Sequence, residues 1–271
     1  MALDWTGKVA VITGGASGIG RSVALAAARR GCDVVLADID DGGMARVAGE
    51  VEALVRRALA VRCDVTKDPD VDALAQQAIG WQEHIDLLMN NAGAAVGGLL
   101  EALSMADWDW QLQLNLYGVI RTARAFMAHF MARGSGAIVN TSSMAGLSGP
   151  PILAAYVTSK HAVIGFSEAL ANYLRPRGIT VSVLCPDAVD TPIWDRVRRV
   201  QGTQGEGMGQ VTVRDHAAMR SPDEVAERLF AALDEDRFVV LTVPPGTNPR
   251  AEARAAAIEA MALRTAAAQP A

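Results

Sequence analysis

The chain has 271 residues, 51% of them hydrophobic, and a formal net charge of −5. That length suits one domain with a well-filled core, the acidic balance argues against a nucleic-acid surface, and no apolar run approaches the ~18 residues of a membrane span. Cys32, Cys63 and Cys185 are odd in number and widely spaced, and His84, His129, His161 and His216 form no ligand pattern, so neither a disulfide framework nor a metal site is expected. The residues around Asp4 and Lys8 lack the apolar core of a signal peptide, so cytoplasmic residence is expected.

The first element is an apolar strand over 8–13, leading into Thr13-Gly14-Gly15-Ala16-Ser17-Gly18-Ile19-Gly20 and a helix over 18–30. Glycines let the backbone take φ > 0 and approach a ligand closely. The helix behind them offers unpaired N–H groups to a phosphate. A second strand over 33–38 ends in Asp38, 18 residues beyond Gly20. Strand, glycine turn, helix, strand and acid are the layout of a dinucleotide-binding unit. A carboxylate at Asp38 accepts hydrogen bonds from ribose hydroxyls and repels a 2′-phosphate. No base stands at Ser17 or Ile39, so NAD is favoured over NADP.

Helices over 41–56, 69–80, 105–132, 155–175 and 222–234 then alternate with strands over 58–63, 86–90, 136–141, 179–185 and 238–243. Ser221-Pro222-Asp223-Glu224 reads as a capping box opening the 222–234 helix. The alternation predicts an α/β fold, a single-domain Rossmann-type doubly wound arrangement over 1–271 with a seven-stranded, mainly parallel sheet and helices on both faces. Within the 155–175 helix, Tyr156 and Lys160 stand four apart and so share a face. A free tyrosine titrates near ~10, too high for a base at neutral pH, and a neighbouring ammonium favours its phenolate. Tyr156 then suits proton exchange with a substrate hydroxyl while hydride moves to or from a nicotinamide.

These motifs, in this order, resemble the short-chain dehydrogenase/reductase family, over about residues 5 to 192 and more weakly to about 243. The family's glycine motif falls on Thr13 to Gly20, its adenine-side acid on Asp64, its N-N-A-G motif on Asn90-Asn91-Ala92-Gly93 and its helix asparagine on Asn115. Ser142 and Ser143 both follow the fifth strand, and the family spacing of 13 residues to the tyrosine selects Ser143. The resemblance implies that Ser143 holds the substrate oxygen, Tyr156 transfers the proton, Lys160 binds ribose and biases Tyr156, and Asn115 holds a water linked to Lys160. The cofactor contacts it implies are Gly14, Ser17, Gly18, Ile19, Gly20, Asp38, Ile39, Asp64, Val65, Asn91, Ala92 and Gly93, then Tyr156, Lys160, Pro186, Val189 and Thr191. Asp187 stands where the family usually has a glycine, and the usual V-D-G-G strand is missing.

The substrate walls are expected around Ala94, Ala95 and Val96, across Leu147 to Leu153, and at Trp194. They are mostly apolar, which favours an uncharged secondary alcohol or ketone, cyclic, aromatic or terpenoid/steroid-like. The glycine-rich segment 192–220 reads as a substrate lid or an unstructured loop. The alanine-rich extension 246–271 reads as a frayed end or as a helix docking across a subunit boundary. Leu116, Ile120, Phe126, Phe130, Val163 and Phe166 exceed what one sheet face needs, and the resemblance implies that their helices pair into a homo-oligomer, a tetramer before a dimer. The reading that follows is an NAD-dependent oxidoreductase. An NADPH-dependent carbonyl or 3-oxoacyl reductase and a non-catalytic NAD(H) sensor are the alternatives.

Overall fold

The computed structural model describes residues 3–194, 198–199 and 219–268. Seven strands form one sheet: β1 (Val9–Thr13), β2 (Asp33–Asp38), β3 (Ala58–Arg62), β4 (Leu87–Asn90), β5 (Gly136–Thr141), β6 (Ile179–Cys185) and β7 (Val239–Leu241). Their order is β3-β2-β1-β4-β5-β6-β7, and every pairing is parallel. Parallel strands covered on both faces read as unbroken apolar runs, and β1 shows the consequence. Val9 and Val11 join one half of the core while Ala10 and Ile12 join the other. Helices α1 (Gly18–Arg29), α2 (Asp41–Glu52) and α7 (Pro222–Asp234) cover the second half. Helices α3 (Asp68–Gln82), α5 (Gly118–Arg133) and α6 (Ala154–Leu174) cover the first. The strand order reverses between β1 and β4, and ligands of open α/β sheets bind at the carboxyl ends of such a switch point.

Several expected boundaries move. The helix expected over 41–56 stops at Glu52, because Val55 turns to φ 60° and Arg56 and Arg57 reach back to the buried Asp33 carboxylate at 2.6 and 2.9 Å. The helix expected over 105–132 is three pieces: α4 (Met105–Leu112), a π turn at Gln113–Tyr117, and α5. Such wide turns swing one side chain out of helical register, and here that side chain is Asn115. The capping box at Ser221 is half made. Its hydroxyl accepts the Asp223 N–H at 3.1 Å, but the Glu224 carboxylate faces Arg220 at 3.7 Å instead. A two-residue parallel ladder, Val96–Gly97 with Arg198–Arg199, has no counterpart in the sequence reading. Apart from Pro192–Trp194, that ladder and the residues from 219 on, the expected lid lies outside the described residues.

The last helix, α8 (Pro249–Ala268), packs on its own chain rather than fraying. Ala251, Ala255, Ile258 and Ala262 enter the core, and Arg254 Nη1 reaches His161 Nε2 at 3.0 Å. Glu259, 9% exposed, accepts the N–H groups of Phe238 at 3.0 Å and Val239 at 2.5 Å. It thereby satisfies donors at the outermost strand, β7. Charge-assisted bonds of this kind are stronger than neutral ones, so Glu259→Ala should lower unfolding stability by about 2 kcal/mol. Glu259→Gln should recover part of that loss, read from urea midpoints at unchanged slope. Phe126, Phe130 and Val163 are each fully buried in this core. They are therefore not the spare apolar positions that the oligomer expectation rests on. No helix among the described residues is long and apolar enough to cross a membrane.

Candidate active site

The turn after β1 is built around missing side chains. Gly14 and Gly18 take φ +67° and +52°, values that favour glycine. A Cβ on Gly20 would stand 2.0 Å from the Gly14 carbonyl oxygen, so α1 can start against the turn only without one. Thr13 Oγ1 accepts the N–H groups of Asn91 at 2.9 Å and Ala92 at 3.1 Å, which stitches this turn to the segment after β4. Ser17, at the N-cap of α1, makes no capping bond with its side chain. The first N–H groups of α1 are left for an anion. This bare, glycine-lined cradle fits the pyrophosphate of a dinucleotide.

Asp38 closes the β2 end. Its carboxylate accepts N–H groups from Ala16 at 3.1 Å, Ile39 at 2.8 Å and Asp40 at 3.1 Å, which fixes it at the rim of the cleft. Asp64 is held by Thr66 through its N–H at 3.0 Å and its hydroxyl at 2.7 Å. Arg21 turns away to Glu50 at 2.7 Å. Arg46, which its spacing does not single out, places Nη2 3.2 Å from the Ala16 carbonyl, beside the same rim.

At the other end, β5 and α6 converge. Ser142 is a structural residue, its hydroxyl donating to the Lys160 carbonyl at 2.8 Å. Ser143 and Tyr156 line the same cleft, and the Ser143 hydroxyl donates to the Pro186 carbonyl at 3.4 Å and accepts the Ala145 N–H at 3.1 Å. Lys160 Nζ donates to the Thr141 carbonyl at 2.9 Å and stands 5.6 Å from the Tyr156 ring centroid. Burial brings the Lys160 ammonium down from 10.5 to about 8. Burial likewise pushes the Tyr156 phenol up, with the Ser143 hydroxyl opposing it. The expected lowering of Tyr156 by the Lys160 ammonium is not among the influences on this phenol, of which desolvation is the largest.

Asn115 is fully buried behind this pair. It accepts the Ala94 N–H at 3.1 Å and donates to the Ala94 carbonyl at 3.0 Å and Ser159 Oγ at 3.2 Å. Ser159 in turn donates to the Tyr156 carbonyl at 2.7 Å. A Cβ on Gly93 would lie 3.2 Å from Asn115 Oδ1 and 3.6 Å from Lys160 Nζ, so the glycine keeps that corner open.

One cleft of about 590 Å³ joins both ends, running from Ser17 and Asp38 past Asp64, Asn91, Gly93 and Val189 to Ser143, Tyr156, Leu153 and Trp194. Its size is that of a site for an organic ligand. Gly14, Gly18, Ile19, Ile39, Val65, Ala92, Ala95, Lys160, Pro186 and Thr191 line it as expected. Of the wall expected across Leu147 to Leu153, Ser148, Pro150 and Leu153 line it, while Leu147 is buried in the core. Three further expected residues do not line it. Gly20 packs beneath the turn, Asn115 lies behind the wall, and Val96 is fully buried, its N–H accepted by Gln111 Oε1 at 2.7 Å. Val96 fails as a substrate contact because it belongs to the short ladder with Arg198, where neighbouring side chains alternate sides. Trp194 lines the cleft while its indole N–H donates to the Val189 carbonyl at 2.7 Å, which ties this wall residue to the segment after β6. Trp110 and Leu114, one helical turn apart, and Asn248 at the start of α8 also line the cleft. The first two carried an i, i+4 apolar signal; Asn248 carried none.

A glycine cradle at a sheet switch point, joined by one cleft to a half-buried serine and tyrosine and a buried lysine, defines a nucleotide-binding oxidoreductase of Rossmann type. The chain belongs to the short chain dehydrogenase family, whose pattern matches residues 8–202. It is 34% identical over 229 residues to the (2S)-[(R)-hydroxy(phenyl)methyl]succinyl-CoA dehydrogenase subunit BbsD of Thauera aromatica, covering 84% of this chain and 90% of that one. Among solved structures, a short chain dehydrogenase/reductase from Burkholderia phymatum in complex with NAD superposes with a TM-score of 0.80 at 34% identity over 99% of both chains. The 3-ketoacyl-(acyl-carrier-protein) reductase from Brucella melitensis complexed with NADH gives 0.74 at 32% identity, over 84% of this chain and 91% of that one.

Proposed function

We propose that this protein transfers a hydride between NAD(H) and an apolar secondary alcohol or ketone. The observation that carries this reading is one cleft that joins Ser143, Tyr156 and Lys160 at its apolar end to Asp38 at the rim of the other. When bound, the nicotinamide supplies the hydride acceptor or donor. Ser143 Oγ orients the substrate oxygen. In the oxidation direction, Tyr156 Oη takes the hydroxyl proton as the carbon–oxygen double bond forms, and in reduction it gives that proton back. Lys160, with its ammonium value brought down to about 8, sits where it can stabilise the phenolate and exchange its own proton. Asn115 and Ser159 hold the Ala94 backbone and the start of α6 in register.

Asp38 favours NAD over NADP, since a 2′-phosphate would meet its carboxylate. Arg46 beside Ala16 and Arg62 beside Ile39 support the NADPH-dependent reading, because a guanidinium there could pair with a 2′-phosphate. The cleft's apolar walls at Ala95, Leu153 and Trp194 favour a ketone without a charged carrier. Initial rates with NAD and NADP in parallel, against a panel of apolar secondary alcohols, test both parts. NAD is expected to support turnover at least tenfold better, the margin being roughly that of one unfavourable charge contact. Equal or faster rates with NADP would overturn the cofactor assignment. NADH binding without turnover of any alcohol or ketone would favour a sensor.

A further inference from the structure

The charged side chains among the described lining residues are Asp38, Asp64, Lys160 and Asp187. The first two belong to the adenosine end, and Lys160 is buried and turned to the Thr141 carbonyl. Asp187 therefore stands alone at the substrate mouth. It is exposed, and its backbone is fixed on both sides. Its N–H reaches the fully buried Thr242 Oγ1 at 3.4 Å. The preceding carbonyl, of Pro186, accepts the Met144 N–H at 2.8 Å and lies 3.4 Å from Ser143 Oγ. One peptide unit thus separates this carboxylate from the serine that orients the reacting oxygen. Ala94, Met144, Leu153, Ile193 and Trp194, which line the same cleft, are apolar, and Ser148 and Asn248 on it are uncharged. A carboxylate facing a low-dielectric wall acts on a ligand more strongly than one in open water.

Resting on the oxidoreductase reading above, we infer that Asp187 sets the charge selectivity of this cleft, admitting alcohols or ketones that carry a protonated amine away from the reacting carbon and turning away carboxylates. An ammonium at the mouth forms an ion pair with Asp187 while the hydrocarbon body fills the apolar wall. A carboxylate there meets like charge with no cation beside it among the described lining residues. Specificity of this kind needs both the attractive and the repulsive term.

Three acetophenones of matched size, with para-aminomethyl, para-ethyl and para-carboxylate groups, test this. In the wild type at low ionic strength, kcat/KM should fall about fivefold from aminomethyl to ethyl and about fivefold again to carboxylate, the range of a partly exposed ion pair. Both ratios should approach one in Asp187→Asn and should shrink at high salt in the wild type. Calorimetric binding of the same ketones in the presence of NADH is measured alongside. Amine-selective binding that vanishes in Asp187→Asn, with no turnover of any ketone, supports Asp187 and sinks the oxidoreductase reading. Turnover of the ethyl compound with ratios near one does the reverse. Ratios that persist in Asp187→Asn, or no binding of the aminomethyl ketone, overturn the inference.

Discussion

A Tyr156→Phe protein is expected to lose turnover by about 10³-fold while still binding NADH. The substitution removes one oxygen from a half-buried ring and leaves the surrounding packing intact. What disappears is the phenol group to which we assign proton exchange with the substrate. Steady-state kcat and an NADH fluorescence titration check the two halves. Loss of NADH affinity together with kcat would point to a folding defect instead, and near-normal kcat would remove Tyr156 from the chemistry. Because burial raises the phenol, oxidation should also speed up with rising pH in the wild type, as the phenolate becomes available.

Lys160→Met should lower kcat by about 10²-fold, within the usual span of a lost proton-handling group, and yet make the fold more stable near neutral pH. The ammonium is 4% exposed, and its folded-state value, about 8, lies below the ordinary 10.5. Between those two values the unfolded chain binds the extra proton, so wild-type stability rises with pH across that window. Below it the charged form is buried at a penalty of at most roughly 3 kcal/mol. Losing the bond to the Thr141 carbonyl takes back about 1 kcal/mol. A net gain of about 1–2 kcal/mol at neutral pH is therefore expected, fading through the alkaline range. Denaturant midpoints at neutral and alkaline pH measure it. A variant less stable than wild type at both would mean that the ammonium is a structural cation and not a strained functional one.

The sheet was legible in the chain because each central strand is a short apolar run bounded by turns, and the glycine turn fixed where the first strand ended. Tyr156 and Lys160 were legible from a spacing that holds in any helix, and Ser143 from its distance to them. The protonation of the pair was not, since burial is a property of the assembled core. The π turn around Asn115 was hidden because Gln113-Leu114-Asn115-Leu116-Tyr117 reads like ordinary helix. Val96 was misplaced because its neighbours in sequence do line the cleft, and only the pairing with Arg198 shows which way it turns. Arg46 is distant in sequence from the turn it touches. The last helix was plain as a helix, but nothing in an alanine-rich run says which surface it covers.

The two ends of the sheet are finished differently. At β3 the flanking Arg57 and Arg62 put charge along the border, a common defence against pairing with a stray strand. At β7 the defence is helix α8, with Glu259 occupying donors that another backbone would seek. Without that helix the Phe238 and Val239 N–H groups would lose their acceptor, and this border would be open to pairing with a stray strand. A fault in α8 would thus show first as association between molecules rather than as slow catalysis.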